Sequence, residues 1–139
     1  MQKRIIIAIL AYILLLLIQT RIDYYFNHDL YAKGLVFSEV WYQPYSNLYL
    51  FLTLFYVLIA SLIAKSYKFL AIALTFALTS GQDLIYFGVW NKGVYPNGQW
   101  TWMYWFHVFG FWNTYSQITF TTISVLIVVI ICHLIKSLN

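Results

Sequence analysis

The chain has 139 residues, the length of one ordinary domain, but 63% of them are hydrophobic and only 9% are charged. A typical globular domain is about 25% charged, and a soluble fold of this size exposes too much surface to hide so many apolar side chains. We therefore expect an integral membrane protein. The basic residues are scattered rather than clustered, which argues against nucleic acid as a partner. The single cysteine, Cys132, excludes an intrachain disulfide and a cysteine-based zinc site.

Four segments are apolar and long enough to cross a bilayer core, which takes roughly 20 helical residues. They lie at about residues 5–20, 48–64, 69–90 and 116–135. The first lacks a small-residue cleavage site, so we expect it to be retained rather than removed as a signal peptide. The third contains Ser80-Gly81-Gln82-Asp83, which we expect to open the helix backbone or to permit close packing. Residues 1–139 therefore form a single all-α membrane domain, a bundle of four transmembrane helices.

The basic residues predict the orientation of these helices in the cell membrane. With the N-terminus inside, one side of the bilayer carries five basic residues and no acid: Lys3, Arg4, Lys65, Lys68 and Lys136. The other side carries Arg21, Lys33 and Lys92. The positive-inside rule then places both termini in the cytoplasm.

Two long outer segments, at about residues 22–47 and 91–115, connect the predicted helices. The second contains the aromatic stretch from Trp100 to Trp112, which is too short to span and too apolar for water. We expect an interfacial or re-entrant helical segment there, before the last helix. All six tryptophans lie at or beside this outer side. We expect the aromatic layer to pack against itself, lipid or a partner protein, because an ordinary aromatic belt occurs at both interfaces.

Polar residues recur at helical spacing on each predicted helix, and we expect these stripes to turn inward and face one another. They are Tyr12, Gln19 and Asp23 on the first helix; Tyr49, Thr53 and Tyr56 on the second; Thr75, Thr79, Gln82 or Asp83, Tyr86 and Trp90 on the third; and Gln117, Thr121 and Ser124 on the fourth. The predicted bundle thus has a polar interior in its outer half and an aliphatic interior in its inner half.

Asp83 is the most informative candidate, because an acid within a membrane helix usually has a binding, catalytic or structural reason. The structural alternative pairs it with Arg21 or with hydroxyl groups of the fourth helix. The functional alternative is an outer-facing pocket with these binding candidates: Asp83, Gln82, Tyr86, His107, Glu39 and Trp105. In that pocket Asp83 and His107 are the candidate acid–base residues.

Metal ligation is the weakest of these hypotheses. The candidate ligands are Asp83, His107, Glu39 and His28, but no His-x-x-x-His or Glu-x-x-His spacing supports them. No nucleophile elbow and no glycine-rich phosphate loop occurs either, so the sequence indicates no particular cofactor.

Two functions fit these features best; a third, transport, would need an oligomer, because the inner half of the bundle lacks polar stripes. The chain is either a non-catalytic subunit or assembly partner of a larger membrane complex, which docks through its outer aromatic face, or a membrane-embedded enzyme or binder of a small molecule or lipid. The first explains the small size and the aromatic surface. A homo-oligomer is also a possible partner arrangement, but a homo-oligomer without any other subunit would count against this first function. The second explains aromatic walls beside a few convergent polar groups.

Overall fold

The computed structural model describes the backbone of residues 2–30, 33–34 and 39–138, and the side chains of 3–30, 33–34 and 47–135. All regular structure in these ranges is helical, as predicted. The elements in chain order are α1 (Gln2–Tyr24), the π-helical turn π1 (Tyr25–Asp29), α2 (Glu39–Ala64), α3 (Tyr67–Leu78), α4 (Gly81–Ile85), the π-helical turn π2 (Tyr86–Trp90), α5 (Tyr104–Phe109) and α6 (Thr114–Leu138).

Three helical stretches of the described chain are long and apolar enough to cross a membrane, namely Lys3–Asp29, Asn47–Ala64 and Thr114–Ile135. The pair Tyr67–Leu78 and Gly81–Trp90 is bent by 72° and makes a fourth if it counts as one span. Helix also occupies much of the outer segment expected at 22–47, because π1 ends at Asp29 and α2 begins at Glu39. Hydropathy indicates only the apolar part of a helix. The helix continues beyond that part wherever its backbone hydrogen bonds can form.

The helices pack in a row that the broken third helix closes where α1 ends and α6 begins. We call this part of the bundle the outer half, after the side of the membrane on which the sequence predicts it. Helix α1 lies along α2, α2 packs on α3 and α3 packs on α6, while α4 and π2 lie against α1. Tyr12, Leu16 and Val57 lie at the centre of the core, together with Ala60, Ala73 and Ala77. Small residues of this kind let membrane helices approach closely, and the Tyr12 hydroxyl crosses to the Ala73 carbonyl at 3.3 Å.

The predicted interruption of the third segment is a sharp break between α3 and α4. Ser80 has a left-handed backbone with φ of 57°, and Gly81 fits beneath the Phe76 ring, where an added Cβ would overlap the ring carbons. A helix end leaves carbonyls without intrahelical donors. On α6, Gln117 Nε2 donates to Thr79 O at 2.7 Å and Thr121 Oγ1 donates to the same oxygen at 3.1 Å. For Gln117 and Thr121, the predicted facing toward the third helix is confirmed at Thr79.

Helix α6 is anchored along one face only. Near its inner end the Lys68 ammonium donates to the Cys132 carbonyl at 2.7 Å. Much of the remaining surface is exposed aliphatic side chains, including Ile123, Leu126, Ile127 and Ile130. An aliphatic surface of this extent is suited to lipid rather than water.

Candidate functional site

Two features of the outer half are candidate functional sites. The first is the contact between the end of α1 and the α4–π2 segment. The rings of Tyr24 and Tyr86 lie 5.3 Å apart, and Trp90 Nε1 donates to Thr20 Oγ1 at 3.0 Å. Each of the two segments contains a π-helical turn here, π1 after α1 and π2 after α4. Single π turns inside helices occur frequently at functional sites, which makes this contact a candidate site.

Asp83 lies in this contact and is half-buried. Its carboxylate forms no hydrogen bond or ion pair with any residue whose side chain the structure describes. Among the described residues, the Asp23 carboxylate on α1 lies within electrostatic range of Asp83. The Tyr86 side chain lies within electrostatic range of both. Two acids therefore approach each other at the α1–α4 contact.

Arg21 does not neutralise this pair. Its guanidinium binds Asp29 Oδ2 through both Nη atoms at 3.1 Å and lies over the rings of Tyr24 and Trp90 at 5.6 and 5.7 Å. No described hydroxyl group of α6 is hydrogen-bonded to Asp83 either, and Thr121 binds Thr79 O instead. Neither partner expected for a purely structural Asp83 is therefore bound to it among the described side chains.

Two buried amide oxygens at the same level also lack donors. Gln82 is 8% exposed and Gln19 is 3% exposed, and the Oε1 atom of each has no hydrogen-bond partner. The Gln19 amide nitrogen is satisfied by Thr53 Oγ1 at 2.6 Å and by Tyr49 O at 3.0 Å, which fixes the amide orientation. Buried polar atoms are nearly always paired in native proteins, so these two oxygens are exceptions to the usual pairing.

The second feature is the aromatic assembly formed by residues 99–120, which packs on itself at its base. Trp100, Met103 and Trp112 are buried together, and Trp100 N donates to Trp112 O at 2.7 Å. Trp112 Nε1 donates to Gln117 Oε1 at 2.9 Å. Because Gln117 also binds the α3–α4 break, the assembly is tied rigidly to the bundle.

Several aromatic side chains of this assembly are exposed. We call these side chains the aromatic platform; they are Trp102, Tyr104, Phe109, Phe111 and Tyr115, which are between 50% and 81% exposed. No Asp, Glu, Lys or Arg occurs from Trp100 to Tyr115. The platform is thus an uncharged aromatic surface on a rigid base.

A shallow groove of about 480 Å³ lies beside the platform and is lined mainly by Val94 to Asn97 and by Asn113 to Tyr115. Its polar groups are largely used internally, since Thr114 Oγ1 donates to Pro96 O at 3.1 Å and Asn113 Oδ1 accepts from Ser116 N at 2.9 Å. The groove therefore offers few free groups to a ligand.

The structure separates the predicted candidates. Gln82, Asp83 and Tyr86 meet α1, whereas His107 is exposed on α5 and Trp105 packs among Phe109, Trp112 and Phe120. His28 stacks on Tyr24 at 4.5 Å and contacts Asp29 at 3.2 Å. The Glu39 side chain lies outside the described side chains.

Within the described residues, no three His, Cys, Asp or Glu side chains are grouped for a metal. The predicted ligands His107 and His28 therefore do not join Asp83 in such a group.

The polar spacing predicted that Asp23 faces inward but not that it lies within electrostatic range of Asp83. The available signal was its position three residues after Thr20 and seven after Leu16, on the buried face of α1. The two π turns had no sequence signal, because they arise from one added residue per turn in an otherwise helical pattern.

Comparison with known proteins adds no relative: no family model, no curated protein and no solved structure matches this chain.

Proposed function

We propose that this protein is a non-catalytic subunit or assembly partner of a larger membrane complex, with both termini in the cytoplasm, and that it docks through the aromatic platform. The observation that carries the proposal is a rigid, uncharged aromatic surface with its base tied to the bundle. Tyr and Trp side chains held rigidly are the usual anchors of protein interfaces, because fixing them on binding costs little conformational entropy.

The occupant we propose is an uncharged surface of another membrane protein at the outer boundary of the bilayer. A soluble partner fits less well, because the platform flanks apolar helices. The lipid-facing side chains of α6 are aliphatic, for example Leu126 and Ile130, whereas the platform is aromatic. This difference in chemistry favours a protein at the platform and lipid along the helices.

The alternative function, binding of a small molecule or lipid, draws its support from Asp83 and from the unpaired amide oxygens of Gln19 and Gln82. His107 is exposed on α5, so the acid–base pair of Asp83 and His107 has no contact to support it. Assembly therefore remains the better-supported function.

Site-specific photocrosslinking in native membranes tests this proposal. A benzophenone side chain at Tyr104 or Tyr115 should give one discrete heavier product that contains a second membrane protein. The matched control is Phe55, which is 45% exposed on α2 and stacks with Phe51, and it should give no discrete product.

Two outcomes would overturn the proposal. Equal crosslinking from Phe55 and from the platform would indicate nonspecific contact. A product that contains only two copies of this chain would replace the hetero-complex with a homo-oligomer.

A further inference from the structure

The inner end of the bundle, where α1 begins and α2 meets α3, carries three cations without a partner among the described residues. Lys3 and Arg4 lie in the first turn of α1, Lys65 lies between α2 and α3, and all three side chains are exposed. None of them forms a hydrogen bond or an ion pair with a described residue. The sequence has no Asp or Glu in residues 1–22, 40–82 or 84–139, so no acidic side chain at this end neutralises them.

Helix packing brings these cations, which are far apart in the sequence, to the same end. Gln19 Nε2 donates to Thr53 Oγ1 at 2.6 Å, and earlier residues of α1 share a core with later residues of α2, so the two helices are antiparallel. Arg4 precedes Gln19 by 15 residues and Lys65 follows Thr53 by 12. At 1.5 Å per residue, both cations therefore lie about 18–23 Å beyond this contact, in the same direction.

Lys65 is held by a short, capped connection. Only Lys65 and Ser66 join α2 to α3, and Ser66 Oγ accepts a hydrogen bond from Phe69 N at 3.3 Å. The backbone of Lys65 is left-handed, with φ of 49°, a conformation that favours glycine or asparagine over lysine. Strain of this kind is often kept where the side chain has a function. The neighbouring Lys68 differs, because its ammonium is already bound to Cys132 O at 2.7 Å.

Exposed aliphatic side chains lead up to these cations on both helices. Ile6 and Leu10 follow Lys3 by three and seven residues, and Leu62 precedes Lys65 by three, so each lies on or beside the helix face of its cation. These three side chains are 51%, 62% and 66% exposed. The surface thus places a positive charge next to aliphatic side chains, which complements a molecule with an anionic head group and acyl chains.

We propose that Lys3, Arg4 and Lys65 bind the phosphate head group of an anionic phospholipid, whose acyl chains lie along these aliphatic side chains. Lys and Arg bind phosphate oxygens through charge-assisted hydrogen bonds, and basic sites at the ends of membrane helices recognise lipid head groups in this way. A free phosphate ion would match the cations but leave the aliphatic side chains uncovered. This binding is independent of docking at the aromatic platform, which lies at the other end of the bundle.

Native mass spectrometry of the purified full-length protein in detergent micelles tests the site. The protein is titrated with phosphatidylglycerol and with phosphatidylcholine that has the same acyl chains. We expect phosphatidylglycerol to bind at least about tenfold more tightly, because each Lys or Arg near a membrane surface contributes roughly fivefold to the affinity for anionic lipid. Lys65→Asn, which suits the left-handed backbone, should lower this preference about fivefold, and Lys3→Gln combined with Arg4→Gln should lower it further.

Lys92→Asn is the matched control, because Lys92 is exposed beyond π2 at the other end and also has a left-handed backbone, with φ of 54°. It should keep the wild-type preference. Equal affinity of the wild type for the two lipids would overturn the site, and so would equal losses in Lys92→Asn and Lys65→Asn. Displacement of the lipid by an equal concentration of glycerol phosphate would overturn the lipid assignment. If Lys65→Asn does not fold, an unchanged preference in the double variant would overturn the site on its own.

Discussion

Gln117 connects three parts of the outer half through one side chain. Its amide oxygen accepts from Trp112 Nε1, and its amide nitrogen donates to Thr79 O and Thr121 Oγ1. It is fully buried, so its removal leaves an indole N–H and a helix-end carbonyl with fewer partners. An unsatisfied buried group costs about 1–3 kcal/mol, although hydrogen bonds within membranes average nearer 0.6 kcal/mol.

We therefore predict that Gln117→Met, which keeps the side-chain length and removes the polar atoms, lowers the free energy of unfolding by about 2 kcal/mol. Denaturant-induced unfolding in detergent micelles measures this change. Thr122→Val, on the exposed face of the same helix, should change it by less than about 0.5 kcal/mol. Equal effects of the two substitutions would contradict the bridging role of Gln117.

Residue spacing predicted some of these contacts and missed others for a physical reason. Gln117, Thr121 and Thr79 were expected to face one another, because polar side chains avoid lipid, and they do. Arg21 was a candidate partner of Asp83 but binds Asp29, eight residues later. A π turn contains more residues than an α turn, so π1 places Asp29 close to Arg21. The pattern of polar and apolar residues gives no sign of this extra residue.

The break in the third helix determines which residues of the outer half lie against α1. A straight helix would carry Asp83 and Tyr86 away from α1, whereas the 72° bend lays α4 and π2 against it. The sequence predicted an interruption at Ser80-Gly81 but not its angle. The angle depends on contacts with Gln117 and Phe76, which lie outside the motif itself.

We predict that Gly81→Ala destabilises the fold, because its Cβ would overlap the Phe76 ring. Overpacking of this kind costs typically about 1–3 kcal/mol, measurable as a lower thermal unfolding midpoint in micelles. In a Phe76→Leu background the same substitution should cost less, since the two changes couple through the contact. Gly98→Ala, where an added Cβ meets nothing, is the control. An undiminished cost in the Phe76→Leu background would contradict the packing explanation.

The orientation of the helices is a second prediction at this scale. Lys65 and Lys68, in the short α2–α3 connection, should lie in the cytoplasm together with Lys3 and Arg4. A reporter that fluoresces only in the cytoplasm should be active when fused after Asn139 and inactive when inserted at Gly98 in the outer loop. The reverse pattern would contradict the proposed orientation.

For the molecule as a whole, the sequence predicted an all-helical chain that suits a membrane, because the apolar composition alone is enough to indicate this. It could not predict which part of the aromatic layer is buried. Trp100 and Trp112 form a packed base, while Tyr104 and Tyr115 are exposed, and this division depends on tertiary contacts. The exposed part is what the proposed function uses.

The mass of the complex extracted directly from native membranes into lipid nanodiscs tests this account most directly. The expected species has a mass that is not a whole multiple of the 16.5 kDa chain, and it contains a second protein at fixed ratio. Tyr104→Ser combined with Tyr115→Ser should release that protein, whereas Phe51→Ser combined with Phe55→Ser on α2 should retain it. A wild-type species that contains only this chain and lipid would contradict the account.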